Sequence, residues 1–197
     1  MNGYERRKQK KMEQIFEASI ELFFKHGFQK VNVNEIAQQA EVSPATIYNY
    51  FGTKEKLYAD SLIHWMDKQL EQYEAILDSG LTFPEKTKEI MQLETRNLNI
   101  LGEEFPKVPS SELSGLMDIM DRYSEEKIVG FFKRFIALGK QEGYIREDRS
   151  EEMLVRYFTM FQNELRRHWE SADQDRMTWS MDQWMELFFY GAAGREN

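Results

Sequence analysis

Between Ser43 and Phe51 the chain reads SPATIYNYF, a stretch too short to bury much surface and unusually rich in side chains that exchange hydrogen bonds. The hydroxyls of Ser43, Tyr48 and Tyr50 suit phosphate oxygens, and the carboxamide of Asn49 can pair bidentately with the edge of an adenine. Small side chains at Pro44, Ala45 and Thr46 would let a helix carrying this chemistry dock closely into a major groove. The local signals for that helix are present. Ser43 is a good N-cap and Pro44 occupies the first helical position, where its missing N–H costs nothing, so a helix is expected to about Tyr50.

A second short helix must hold this one in place. Asn32 followed by Glu35 fits a capping box, opening a helix to Ala40 with Ile36, Ala37 and Ala40 turned inward. Joined only by AEVS, the two helices cannot be stable alone, so Val42, Ile47 and Phe51 must wedge them against their neighbours. That is a helix-turn-helix arrangement, with Pro44, Ala45, Thr46, Tyr48, Asn49 and Tyr50 left on the outward face. The residues alone also permit a plainer reading, in which Tyr48, Asn49 and Tyr50 are ordinary surface positions of a helical bundle.

The neighbours are legible from periodicity. Met12, Ile15, Phe16, Ile20 and Phe23 recur at helical spacing up to a stop at Gly27. From Lys54 a long helix carries Leu57, Tyr58, Leu62, Trp65, Met66, Leu70, Tyr73 and Leu77 on one stripe, ending before Gly80. Further helices are expected over 84–101, through Leu113 to Met120, from Ser124 to a stop at Gly143, and over about 150–169 and 177–190. Strand patterns and repeats are lacking, so the expected class is all-α, with about nine helices.

Charge is unevenly placed. The 197-residue chain carries a formal net charge of −8, yet residues 1–58 hold nine basic against seven acidic side chains. Five of the nine, Arg6, Arg7, Lys8, Lys10 and Lys11, fall in the first eleven residues, which makes that run a candidate arm for sequence-independent phosphate contacts. Cysteine is absent, no apolar leader core follows the basic start, and nothing approaches the roughly 18 apolar residues of a membrane span. A cytoplasmic location is the resulting expectation. His26, His64 and His168 form no metal-spaced motif, and phosphate loops, nucleophile elbows and zincin motifs are missing, so neither a metal, a cofactor nor an enzymatic site is expected.

The segment GFQKVNVNEIAQQAEVSPATIYNYFGTKEKL resembles the DNA-binding region of the tetracycline-repressor-like (TetR) transcriptional regulators. The resemblance covers about the first 60 residues. It implies a DNA-binding domain over 1–53 and an effector-binding and dimerisation domain over 54–197. It further implies phosphate contacts from Ser43, Tyr48, Tyr50 and Lys54, another near Asn34, and Pro44, Ala45, Thr46 and Asn49 nearest the bases. Two positions depart from the family pattern. Glu41 stands in the turn where glycine is common, and Val33 stands where a threonine often opens the second helix.

Residues 60–190 are dense in methionine and large aromatics. Such a core can leave room for an apolar or aromatic effector, for which Trp65, Met91, Met117, Met120, Phe132, Phe135 and Phe161 are candidate lining residues, with Asn163, Glu164 and His168 as polar ones. The last two helices carry Phe158, Leu165, Trp169, Met181, Trp184, Met185 and Phe188, more apolar surface than one inward stripe needs, and the surplus points to a homodimer interface. The expected function is a homodimeric, ligand-responsive regulator, a repressor, that binds a palindromic operator in double-stranded DNA. A DNA-binding architectural or cell-cycle protein of the same fold and a helical enzyme or carrier are the alternatives.

Overall fold

The computed structural model describes residues 3–104, 108–170 and 180–191, and all regular structure among the described residues is helical, as the sequence leads one to expect. The chain forms two compact units, Met1–Gln69 with Lys107–Ile119, and Leu70–Pro106 with Met120–Asn197.

The first unit is built on α1 (Gly3–His26), α2 (Val33–Gln39), α3 (Pro44–Phe51) and the early turns of α4 (Lys54–Leu77). Helix α1 begins well ahead of the apolar stripe, so the basic run is its exposed first turns rather than a separate arm. It ends at Gly27, whose φ of 82° closes the last turn by a bond from its N–H to the Phe23 carbonyl at 2.8 Å. Phe23 is fully buried and meets the edge of Tyr58 at 4.7 Å between ring centres. Phe16 bridges Phe51 and His64, at 5.5 and 4.7 Å. With Ile15, Ile36, Ile47, Leu57 and Leu62 at no more than 1% exposure, this core holds the short helices that could not stand alone. Each such side chain contributes about 1.5–3 kcal/mol by leaving water.

The second unit packs the end of α4 with α5 (Phe83–Glu104) and α7 (Val129–Gln141), around Tyr73, Leu77, Phe83, Ile90, Leu93, Phe131 and Phe135. Buried Lys86 donates to the Leu77 carbonyl at 2.7 Å, satisfying one of the open acceptors at the end of α4. Gly139 lets α7 approach, since a Cβ there would lie 2.7 Å from both Phe83 and Ile145. Helix α5 exceeds its expected span at both ends.

The expected start at Ser124 is not a helix start. Helix α6 (Ser110–Tyr123) continues through a π turn at Ser124–Ile128 into α7 without a break. The Ser124 hydroxyl that reads as a cap is instead donated to Gln162 of α8 (Glu151–Glu170) at 2.7 Å. Helix α9 (Met181–Tyr190) opens on a capping box between Ser180 and Gln183, later than the expected start near 177, and 177–179 lie outside the described residues.

Candidate nucleic-acid interface

Local bonding fixes α2 at both ends. Asn32 Oδ1 accepts from the Glu35 N–H and Glu35 Oε2 accepts from the Asn32 N–H, both at 3.0 Å, completing the expected capping box. Val31 and Ile36, at 1% and 0% exposure, occupy the two positions of a hydrophobic staple around it. Val33, one of the two departures, is buried, so its apolar side chain serves the core. At the other end the Val42 N–H reaches the Ala37 carbonyl at 2.9 Å and the Glu41 N–H reaches Gln38 at 3.3 Å, the two bonds of a Schellman motif. That motif requires a left-handed residue between them, and Glu41 supplies it at φ 54°. A side chain held there costs about 1–2 kcal/mol.

The turn delivers Ser43 to the head of α3. Ser43 Oγ accepts from the Thr46 N–H at 3.1 Å and lies 2.9 Å from the Thr46 hydroxyl, so the two residues share one small network. Ile47 and Phe51 point into the core, while Pro44, Ala45, Asn49 and the two tyrosines are exposed and Thr46 is half-buried. Tyr48 is 52% and Tyr50 37% exposed, high values for rings on a helix whose opposite face is fully occupied. Gly52, at φ 76°, ends α3 with a bond from its N–H to the Tyr48 carbonyl at 2.8 Å.

Cations flank this face. Lys8 of α1 lies over the Tyr50 ring at 5.9 Å, which ties the first turns of α1 to the outward side of α3. Arg6, Arg7, Lys10 and Lys11 are exposed on the same turns. Lys54, at the start of α4, rests on Phe28 at 4.4 Å, and partial burial draws its pKa below the usual lysine value. Asn34 is exposed in the first turn of α2. The nine residues singled out for DNA therefore fall on α2, α3 and the head of α4, all within the first unit. Their chemistry is that of phosphate donors around a short helix with one carboxamide available for a base edge.

The candidate effector residues are divided between the two units. Trp65 packs on Phe24 and Met117 is buried at 2%, both in the first unit. In the second unit Phe132 and Phe135 join an aromatic cluster with Phe158 and Phe188, and Phe161 meets Trp184 at 4.8 Å. Met91 and Met120 are half-buried. Asn163 and Glu164 are exposed, and Glu164 pairs with Arg167 at 3.2 Å; the side chain of His168 lies outside the described residues.

Composition gave no hint of the polar group in that unit. Asn97 Nδ2 donates to the Tyr73 hydroxyl at 2.7 Å, which in turn donates to Glu94. Burial pushes the Glu94 carboxyl above the usual carboxylate range, and burial beside Glu94 pushes the Tyr73 phenol upward as well.

The expected dimer residues also need correction. Phe158, Leu165, Met181, Met185 and Phe188 are all buried within the chain, and Trp184 is half-buried against Phe161. The side chain of Trp169 lies outside the described residues. Among the described residues, the large apolar groups facing outward on α8 and α9 are Met153, Tyr157, Met160 and Leu187, at 47, 37, 67 and 41% exposure. Periodicity could not separate the two sets, because both faces of α8 carry large apolar residues.

Comparison with known proteins agrees with this geometry. Residues 15–60 match the family model of bacterial regulatory proteins, tetR family. The HTH-type transcriptional repressor NicS of Pseudomonas putida is 27% identical over 139 residues, which span 68% of this chain and 65% of that repressor's length. The fatty acid degradation regulator FadR from Bacillus halodurans has the same fold, at TM-score 0.63 and 19% identity over 94% of this chain and 97% of its own. FadR from Bacillus subtilis, solved in complex with stearoyl-CoA, gives TM-score 0.57 and 19% identity over 90 and 97%.

Proposed function

We propose that the chain is a ligand-responsive repressor of the tetR family, whose model its residues 15–60 match, and that it binds a palindromic operator as a homodimer. The observation that carries the reading is the outward face of α3. Tyr48, Asn49 and Tyr50 stand exposed on a helix whose cap, turn and buried face are all fixed, an arrangement that rigidly presents hydrogen-bonding groups to a groove.

In this reading Asn49 with Pro44, Ala45 and Thr46 reads bases. Ser43, Tyr48, Tyr50, Lys54 and the N–H groups near Asn34 hold phosphates. The basic turns of α1 add contacts that carry no sequence information and raise the salt dependence of binding. Residues 1–53 form the DNA-binding domain and 54–197 the effector and dimerisation domain. Two copies, paired through the outward face of α8 and α9, must place their α3 helices about 34–36 Å apart to meet successive major grooves.

Helix α4 follows the DNA-binding domain directly and runs into the second unit, and so is the natural lever. An effector that favours the wrongly spaced state releases the DNA, and release by two orders of magnitude needs about 2.7 kcal/mol of preference between states. The aromatic-rich core of the second unit suits an apolar or aromatic effector, and a cytoplasmic site of action follows from the target. The FadR complex makes stearoyl-CoA a rational first probe of effector response.

The experiment is selection of bound duplexes from a random library by the full chain, followed by anisotropy titration of the enriched sequence. A palindrome of two half-sites about ten base pairs apart is expected. Enrichment of no sequence, or of one unaffected by Asn49→Ala, would sink the reading.

A further inference from the structure

Helix α5 has a second face, turned away from the core residues Ile90, Leu93, Leu98 and Leu101. Gln92, Thr95, Arg96, Asn99 and Glu103 recur along it at helical spacing, and with Asp182 from the first turn of α9 and one apolar wall, Ile100, they line a groove of about 380 Å³. That volume lies within the range of small-molecule sites, and the lining falls wholly within the second unit.

The lining groups leave hydrogen-bonding capacity open toward the groove. Along the groove, none of Gln92, Arg96, Asn99, Glu103 and Asp182 makes a side-chain hydrogen bond or ion pair among the described residues. Thr95 is only 8% exposed, and its hydroxyl makes no hydrogen bond among the described residues, unlike those of Thr87 and Thr159, which donate to the carbonyl one turn back. Its oxygen reaches solvent, and the groove is its open side.

The charges are arranged by sign. Among the described residues Arg96 is the one cation lining the groove, and Glu103 follows it by seven residues, about 10.5 Å along the helix axis. Asp182 adds a second carboxylate at the wall formed by α9. Between Arg96 and Glu103 lie the Asn99 carboxamide and the Ile100 side chain. A guest with a carboxylate for Arg96, an ammonium for Glu103 and Asp182, and a short aliphatic span against Ile100 would satisfy all of these groups together. A purely anionic guest would face two uncompensated carboxylates, and a purely cationic one would leave Arg96 opposing it.

We propose that this groove on the outer face of α5 binds a small zwitterion, a molecule with a carboxylate and an amine separated by a short chain, of the amino-acid class. Its occupancy does not depend on operator binding, so the proposal stands or falls separately from the reading of α3.

The test uses the full chain and three probes of equal length, 6-aminohexanoate, hexanoate and hexylamine, titrated by ligand-observed NMR. Saturable binding of 6-aminohexanoate is expected, about tenfold tighter than either singly charged probe. Arg96→Gln and Asp182→Asn, both at exposed positions, should each weaken it about fivefold or more, with unchanged circular dichroism and melting. Thr95→Val, which keeps the shape and removes the hydroxyl, should weaken it by about threefold to tenfold. Absence of saturable binding up to tens of millimolar would overturn the proposal. So would hexylamine or hexanoate binding as tightly as the zwitterion, or affinity for 6-aminohexanoate unchanged in both charge variants.

Discussion

The pair α2–α3 and the pair α8–α9 each present residues outward, but they specify that surface in opposite ways. In α2–α3 the inside is apolar and the outside polar. Ile36, Ala37, Ile47 and Phe51 are buried, while Tyr48, Asn49 and Tyr50 face water. In α8–α9 the inside is apolar, with Phe158, Leu165, Met185 and Phe188, and the outside is mixed, Met153, Met160 and Leu187 standing among Glu152, Arg156, Asn163 and Glu186. The first surface is matched to a charged polymer and needs no burial until DNA arrives. The second leaves several large hydrophobic side chains in water, and covering them would be favourable.

The most severe way to break the contrast is to remove the inward anchor of the first pair. Phe51 is 6% exposed and meets Phe16 edge-on at 5.5 Å. Phe51→Ala should cost about 3–5 kcal/mol. Because α3 is only eight residues long, operator binding should vanish before the second unit melts. Two separated transitions in calorimetry, with α8–α9 signals unaffected in the first, would match this expectation, whereas a single shifted transition would show that the units unfold together.

Next in size is the outward face of the second pair. Met160→Glu with Leu187→Glu places charge on exposed positions and should leave monomer stability nearly unchanged. If this face pairs the copies, the dimer dissociation constant should rise by about two decades, or about 2.7 kcal/mol, in sedimentation experiments. A dimer that survives unchanged would move the interface elsewhere. For comparison, Asn49→Ala should leave dimerisation alone and cost about 1–3 kcal/mol of operator affinity, with relaxed preference at a single base pair. A uniform loss across all sequences would make Asn49 a backbone contact rather than a reader.

How far each surface was legible follows from the range of the interactions that set it. The capping box at Asn32 and Glu35, the Ser43 cap and Pro44 act over three or four residues, so the position and outward face of α3 were readable from the string. The fate of Ser124 was not, because its hydroxyl bonds 38 residues away and the cap chemistry is the same in either setting. Tertiary partners likewise decided which apolar residues of α8 faced in, since Phe158 stacks on Phe132 at 3.8 Å while Met160, two residues on, meets solvent. The unpaired row on α5 was invisible for a related reason. Gln92, Arg96, Asn99 and Glu103 read as an ordinary wet face until Asp182 and the buried Thr95 stood beside them.

The smallest effect concerns the one residue where the well-specified pair departs from local rules. Glu41 holds φ at 54° because the Val42 and Glu41 amides must reach Ala37 and Gln38 to end α2, and the backbone geometry, not the side chain, is what the turn requires. Glu41→Gly should remove the steric cost of that conformation, offset in part by the freedom glycine adds to the unfolded chain. The net gain is about 1 kcal/mol or less in chemical denaturation. The exposed carboxylate leaves with it, beside a helix proposed to meet phosphates, so operator affinity should also rise, more at low salt than at high. Glu41→Gln separates the two contributions, because it keeps the strained backbone and removes only the charge. If Gln matches Gly in DNA affinity but not in stability, the carboxylate weakens operator binding and the conformation weakens the fold; equal stability for Gln and Gly would show that the left-handed residue costs this turn nothing.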